Sequence, residues 1–460
     1  MKAKQLFYTF LFLLFSYTYN IVGTGCAQIG MPTGGAKDTI PPILVNANPQ
    51  LKTVNFNDNK ITLTFNEYIE VKDVQNNVLV SPFPKKTPEI NYKLKTVTVK
   101  LKDTLQPNTT YTINFGKAIV DLNEGNPLGD FNYVFSTGAT IDSLTLSGKI
   151  LLAETGKVDS TYTVLLYRNA DDSTVEKRKP NYLTKLDGQG NFVFKNLPND
   201  NFSVYALKDG DGGKTYNAKT EGFAFINKTV NPATSKDTLM LYAYVQEKEK
   251  KEIAVVKNTD KKLRYSLASG TTQDLLTPLT IEFNKPLKKA DLTKIILIDT
   301  NLKVLSNAKV SIDSTTKKIT IENKWQEEQV FKLLIDKDAF ADSTGLALTK
   351  NDTLKITTKK QSDYGNVVLR FKNLDKSKNP LLQFVVNDEI KKSFSITSTE
   401  WNDKLFTPGD YEIRIVYDAN NNGKWDAGNY KQKLQPEKAI TLSKKISIRA
   451  NWDNESDIEL

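Results

Sequence analysis

Ile61-Thr62-Leu63-Thr64-Phe65-Asn66-Glu67 and Leu279-Thr280-Ile281-Glu282-Phe283-Asn284 decide how this chain is read. In both, an apolar residue stands at every second position between polar neighbours. Side chains of a strand alternate between faces, so this pattern gives a strand with one buried face and one wet face. Tyr111, Ile113 and Phe115 alternate in the same way, as do Phe131, Tyr133 and Phe135, with turns such as Pro107-Asn108 and Asn123-Glu124-Gly125-Asn126 between them. No window keeps a helical period, so the class is all-β. The two opening stretches lie 218 residues apart. Phe331 to Asp342, followed by Ser343-Thr344-Gly345, repeats Tyr111 to Asp121 and its Gly125. Tyr411-x-Ile413-x-Ile415-x-Tyr417-Asp418 repeats Phe202-x-Val204-x-Ala206-x-x-Asp209 with the aromatic-to-Asp spacing kept.

The 460 residues are too many for one core. The reading is therefore a tandem duplication of two β-sandwich types, at 43–139, 140–246, 263–359 and 360–460. The charge-rich stretch 247–262 joins the halves as a linker or an exposed edge strand.

Segment 43–139 resembles the Ig-like domains of bacterial surface-layer and cell-envelope proteins. The likeness is carried by Pro41-Pro42, by Ile61-x-Leu63-x-Phe65-Asn66-Glu67 and by Thr110-Tyr111-Thr112-Ile113-Asn114-Phe115. It continues through Ile119-x-Asp121-x-Asn123-Glu124-Gly125-Asn126 and Phe135-Ser136-Thr137-Gly138. Segment 140–246 resembles the prealbumin-like sandwiches related to carboxypeptidase regulatory domains. That likeness lies in Leu144-x-Leu146-x-Gly148-x-Ile150, Gly188-Gln189-Gly190-Asn191-Phe192-x-Phe194, Leu197-Pro198 and Phe202-x-Val204-x-Ala206. The resemblance implies structural or interaction modules and brings no catalytic residues with it.

The amino terminus carries an address. Lys2 and Lys4 form a basic start, and Leu6 to Phe15 is an apolar run of signal-peptide length, too short to span a bilayer as a helix. Gly23-Thr24-Gly25-Cys26 resembles a lipobox, although Gly23 replaces the usual Leu, Val or Ile. The expectation is a leader over 1–25, lipidation at Cys26 and a Gly- and Pro-bearing tether over 26–42. The resemblance implies an outer-membrane lipid anchor, with the cell surface favoured over the periplasmic face. The first acid after Cys26 is Asp38, so no acidic sorting cluster adjoins the anchor.

Two absences constrain the chemistry. The sequence has no histidine, and its single cysteine is Cys26. Zinc or copper sites built on imidazole or thiolate are excluded, as are Ser-His-Asp and Cys-His nucleophiles and intrachain disulfides. The net charge of +10 falls to +8 once Lys2 and Lys4 leave, and its lysines are interspersed with acids. That is a solvated surface and not a nucleic-acid face. Carboxylate pairs occur at Glu67 and Glu70 and at Asp121 and Glu124, but glycosidase work needs two facing across a groove.

Asp418, Asn420, Asn422 and Asp426 place oxygen side chains around a Gly423 turn, a pattern that wraps calcium. Asn429 stands where an EF-hand needs its bidentate Glu, and strands flank the loop. The alternative is an Asn/Gly hairpin turn bonded to its own backbone. Asp209-Gly210-Asp211-Gly212-Gly213 is the first-half counterpart. Trp325, Trp401, Trp425 and Trp452 suit sandwich cores and junctions, or sugar stacking if exposed. Triplets such as Asp38-Thr39-Ile40, Asp142-Ser143-Leu144 and Asp237-Thr238-Leu239 resemble an O-glycosylation motif of exported Gram-negative proteins, and also read as turns.

The expected function is therefore non-catalytic: an outer-membrane lipoprotein acting as a multidomain scaffold. It is read as an accessory of an outer-membrane β-barrel complex for uptake or barrel assembly, with an outer-membrane protein as partner. The alternative is a carbohydrate-binding or adhesive surface lipoprotein. No cofactor is expected apart from the calcium considered at Asp418.

Overall fold

The computed structural model describes residues 2–22, 37–168, 171–248 and 261–460. Cys26 lies outside the described residues, as do 26–36 of the tether and most of the 247–262 segment. Lys2–Val22 is one helix. Its Leu6, Phe7, Phe10, Phe12 and Phe15 are exposed and add nothing to a core. Among the described residues no helix is long and apolar enough to cross a membrane.

The chain forms two compact units, Met1–Val80 with Pro84–Ala139, and Ser81–Phe83 with Thr140–Leu460. In the first unit, Leu44–Asn48, Lys60–Phe65, Thr96–Lys100 and Glu89–Lys93 lie side by side in that order, all antiparallel. A second sheet orders Leu79–Ser81, Thr110–Asn114 and Asn132–Ser136, and Ile69–Val71 pairs with Ile119–Asp121. The alternation decides which face is covered. Ile61, Leu63, Phe65, Val97 and Val99 meet Ile113, Phe115, Tyr133 and Phe135 in one core. Thr62 and Thr64 lie opposite Thr98 and Thr96 on the other face, cross-strand pairs suited to a wet sheet.

The second unit begins with a sandwich of another type. Leu144–Leu152 pairs parallel with Leu239–Val245 and antiparallel with Asn191–Leu197. Tyr182–Lys185, Thr163–Arg168, Phe202–Lys208 and Gly222–Phe225 continue in an antiparallel sheet. Further along, Tyr265–Leu267, Leu279–Phe283, Lys318–Glu322 and Lys309–Ile312 repeat the order of the first unit's sheet. Phe283 holds the place of Phe65, the last residue of the second strand, and both are buried. Finally, Gly365–Lys372 pairs parallel with Asp453–Glu459 and antiparallel with Glu400–Phe406. Glu389–Ser395, Pro380–Val386, Gly409–Tyr417 and Ala439–Thr441 make the companion sheet.

A parallel pair between first and last strands is unusual in an otherwise antiparallel sandwich. It stands at the same place in 144–245 and 365–459. The copies differ at one seam. Gly222 and Phe223 pair with Val245 and Tyr244 and join the first copy's sheets into a seven-stranded path, whereas Ala439–Thr441 pairs only with Gly409–Tyr417.

Candidate functional site

Strand Gly409–Tyr417 delivers Asp418 to the mouth of a long loop, fully buried. One Asp418 oxygen accepts the Asn422 N–H at 3.1 Å and the other the Gly423 N–H at 2.7 Å. The side-chain amides of Asn420 and Asn422 each donate to Asp426 Oδ2 at 2.6 Å. The Asn420 and Asn422 oxygens accept the N–H groups of Asn422 and Lys424. The four residues are thus gathered in one loop, with their oxygens turned to backbone and amide donors.

A fifth group closes it. Glu437 Oε1 accepts the Ala419 N–H at 2.7 Å and Oε2 the Asp426 N–H at 3.0 Å, pinning both ends of the loop to the start of the return strand. Burial pushes the Glu437 carboxyl above its usual range against the pull of those two N–H groups, and the charges of Asp418 and Asp426 push the same way. Trp425 donates its indole N–H to the Glu437 carbonyl at 2.7 Å and packs by Leu381, Val416 and Ala439.

The first copy builds the same device with fewer residues. Asp209 follows Phe202–Lys208 and accepts the Gly212 N–H at 2.9 Å, while Glu221, just before Gly222–Phe225, accepts from Asn217 and Ala218. Among the described residues, Asp209, Asp211 and Glu221 form a carboxylate group with oxygens within 4.8 Å of one another. Asp211 is held below the usual carboxylate range by the Asn217 amide and the Gly213 N–H.

The brace at Glu437 positions the neighbouring segment 427–441, which within the second unit lies on the outer face of the sandwich 140–245. Tyr430 is buried among Phe223, Phe225 and Tyr205, with ring centroids at 5.2, 5.1 and 5.8 Å. Its hydroxyl shares a 3.0 Å hydrogen bond with that of Tyr205 and donates to the Asp172 carbonyl at 3.0 Å. Ala439 donates its N–H to the Ala153 carbonyl at 2.8 Å, and Thr441 Oγ1 donates to the Thr155 carbonyl. Lys157 Nζ reaches Glu412 at 2.8 Å and Asp388 at 3.1 Å. Glycine is required at two places for a close approach: a Cβ on Gly156 (φ +68°) would lie 2.6 Å from the Ala439 carbonyl, and one on Gly428 2.7 Å from the Tyr244 ring.

The other sequence candidates fall apart as sites. Asp121, 2% exposed, spends its oxygens on the N–H groups of Glu124, Gly125 and Asn126. Asp342 does the same for Thr344 and Leu346. Glu67 sits near Asp121, and burial with that charge raises its carboxyl. In the second copy Lys285 pairs with Asp342 at 3.2 Å. Trp325 is buried, with its indole N–H on the Thr277 carbonyl, and Trp401 packs by Phe384 and Phe394. Trp452 is 60% exposed under Arg449. In three Asp-Ser-Thr triplets the carboxylate accepts from the Thr hydroxyl two residues on, at Asp159–Thr161, Asp313–Thr315 and Asp342–Thr344. Sequence reasoning missed Glu437 and Tyr430. The signal available was Gly428 two residues before Tyr430, a small residue near an aromatic in a polar loop.

Residues 38–137 match the model of a bacterial Ig-like domain. That assignment covers the first sandwich and not the rest of the chain. No curated protein matches the sequence. Among solved structures, the major pilin subunit of Bacillus cereus is similar over 69% of this chain and 99% of its own, at 10% identity and a TM-score of 0.17. Native alpha-2-macroglobulin from Escherichia coli, domains MG0-NIE-MG1, is similar over 69% and 96%, at 13% identity and 0.17. The N-terminal part of the bacterial S-layer protein SbsC is similar over 38% and 42%, at 14% identity and 0.16. Scores this low give no ground for transferring function.

Proposed function

We propose that this chain is a non-catalytic lipoprotein of the outer membrane, anchored through Cys26 and favouring the cell surface, that works as a rigid binding scaffold. The observation that supports the reading is the buried tyrosine junction. It clasps the sandwich 140–245 directly to the sandwich 365–459, although a whole sandwich lies between them in sequence. Such a junction costs ordering entropy and repays it only by fixing a shape, which is what a scaffold presents to a partner. The acids that catalysis would use are spent on turns: Asp121, Asp342, Asp418 and Glu437 all accept backbone N–H groups. The Asp418 loop is accordingly a brace for segment 427–441, and its fold depends on Glu437 and not on calcium.

The finer proposal is a place beside an outer-membrane β-barrel, as an accessory for uptake or barrel assembly. Purification of the tagged protein from detergent-solubilised outer membranes tests it. A stoichiometric barrel partner is expected; recovery of the lipoprotein alone, under detergents that preserve other complexes, overturns it.

A further inference from the structure

The two copies of the second sandwich type can be compared row by row, because Asp209 and Asp418 end equivalent strands. Counting back from them sets Tyr205 against Arg414, and cross-strand pairing extends the rows. In the first copy the row on the outward face reads Leu183, Leu165, Tyr205, Phe225. In the second it reads Ser393, Gln383, Arg414, Thr441. An apolar row has been replaced by a polar one that stays buried at Gln383 and Arg414, is half-buried at Thr441 and is exposed at Ser393. Leu165, Tyr205 and Phe225 are 0, 5 and 2% exposed, and Gln383 and Arg414 are 3 and 2% exposed. Burying an amide in place of a leucine is unfavourable unless something bonds it. Thr441 has a partner in the Thr155 carbonyl. The buried Nε of Arg414 is unpartnered.

Gln383 and Ser393 instead line a cleft of 440 Å3 between the two docked sandwiches, with Trp425 and Ile390 as further walls. Glu154 and Lys248, also in the lining, pair with each other at 2.7 Å, and Lys424 adds a positive charge. The volume lies within the range of about 300–1,000 Å3 usual for small-molecule sites. The chemistry narrows the ligand. A primary amide offers donors and an acceptor together, and a hydroxyl offers both from one atom. A ligand that satisfies both must present groups that donate and accept at close spacing, beside an aromatic ring. Sugar hydroxyls do this, and sugar rings pack on indoles.

We propose that this cleft binds one or two sugar residues, with Gln383 and Ser393 as hydrogen-bonding groups and Trp425 as the apolar wall. This goes beyond the scaffold reading and does not depend on which envelope partner the protein holds. The mature chain is tested by saturation-transfer NMR against glucose, galactose, mannose, N-acetylglucosamine, maltose, cellobiose and lactose. At least one is expected to bind. Gln383→Leu installs the residue that the first copy tolerates at the equivalent position, so the variant is expected to fold with an unchanged or higher melting temperature. It should weaken binding about tenfold or more, the loss of one or two hydrogen bonds, and Ser393→Ala should weaken it less. Co-purification of the envelope partner with Gln383→Leu should be unaffected, which separates failure of this proposal from failure of the scaffold reading. No saccharide in the panel binding, or Gln383→Leu binding within twofold of the unaltered chain, overturns it.

Discussion

Tyr430 is the residue on which the junction between the two sandwiches turns, and two substitutions separate its contributions. Tyr430→Phe keeps the ring against Phe223 and Phe225 and removes only the hydroxyl. The Tyr205 hydroxyl then loses its partner 3.0 Å away in a buried setting, and the Asp172 carbonyl loses a donor at the rim. One buried group left unpaired costs about 1–2 kcal/mol. Spread over a unit of this size, that lowers Tm by roughly 1.5–3 °C. Tyr430→Ala also empties the ring's site, as a large-to-small core change costing about 3–5 kcal/mol. That cost falls on the junction and not on either core, since the cores of 144–245 and 365–459 are closed without Tyr430. The expected calorimetric result is a modest uniform shift for the Phe variant. For the Ala variant the second unit's unfolding should split, with the two sandwiches melting separately. A Tyr430→Ala chain that melts in the same single transition, within about 1 °C of the unaltered protein, would refute the reasoning.

The remaining predictions are simpler. Gly156→Ala places a Cβ 2.6 Å from the Ala439 carbonyl at a φ of +68°, so it should destabilise the second unit by more than about 1 kcal/mol in urea titrations. Millimolar calcium followed by excess chelator should leave the melting temperature unchanged; a shift of several degrees abolished by Asp418→Ala would make the loop a cation site. Glu437→Gln should destabilise, because one amide oxygen cannot accept from both Ala419 and Asp426. Since burial raises the native Glu437 carboxyl above 4.5, its protonated form is favoured in the folded state. The stability it contributes is greatest below pH 4.5 and declines as pH rises through the raised value, so the unaltered chain should exceed Glu437→Gln by more at pH 4 than at pH 7 in urea midpoints. Cys26→Ala should leave the chain unprocessed or soluble, read by intact mass of the purified protein.

Much of the fold was legible because a strand's period is two and this chain keeps it. Phe65 and Phe283 are buried where the alternation puts them. The turn acids were legible as well, since Asp121 and Asp342 precede Gly125 and Gly345, whose φ values of +78° and +86° a side chain rarely adopts. Lys285 stands where the first stretch has Glu67, and its charge meets a buried neighbour, Asp342. The docking of 427–441 was not legible. It joins residues more than two hundred positions apart, and neither Tyr430 nor Glu437 belongs to any periodic pattern. Only comparison of the paired rows, with Gln383 facing the place of Leu165, shows where the second copy departed from the first.

The rigid clasp between the two sandwiches is tested most directly by a distance. Residues 27–460 carry no cysteine, so Gln189→Cys and Asn402→Cys introduce two thiols on exposed sites of the two sandwiches, free of competing labels. Pulsed dipolar spectroscopy of the spin-labelled pair should give one narrow distance distribution, broadened when Tyr430→Ala is added. A broad distribution in the chain with Tyr430 intact would contradict the clasp, and with it the scaffold that depends on it.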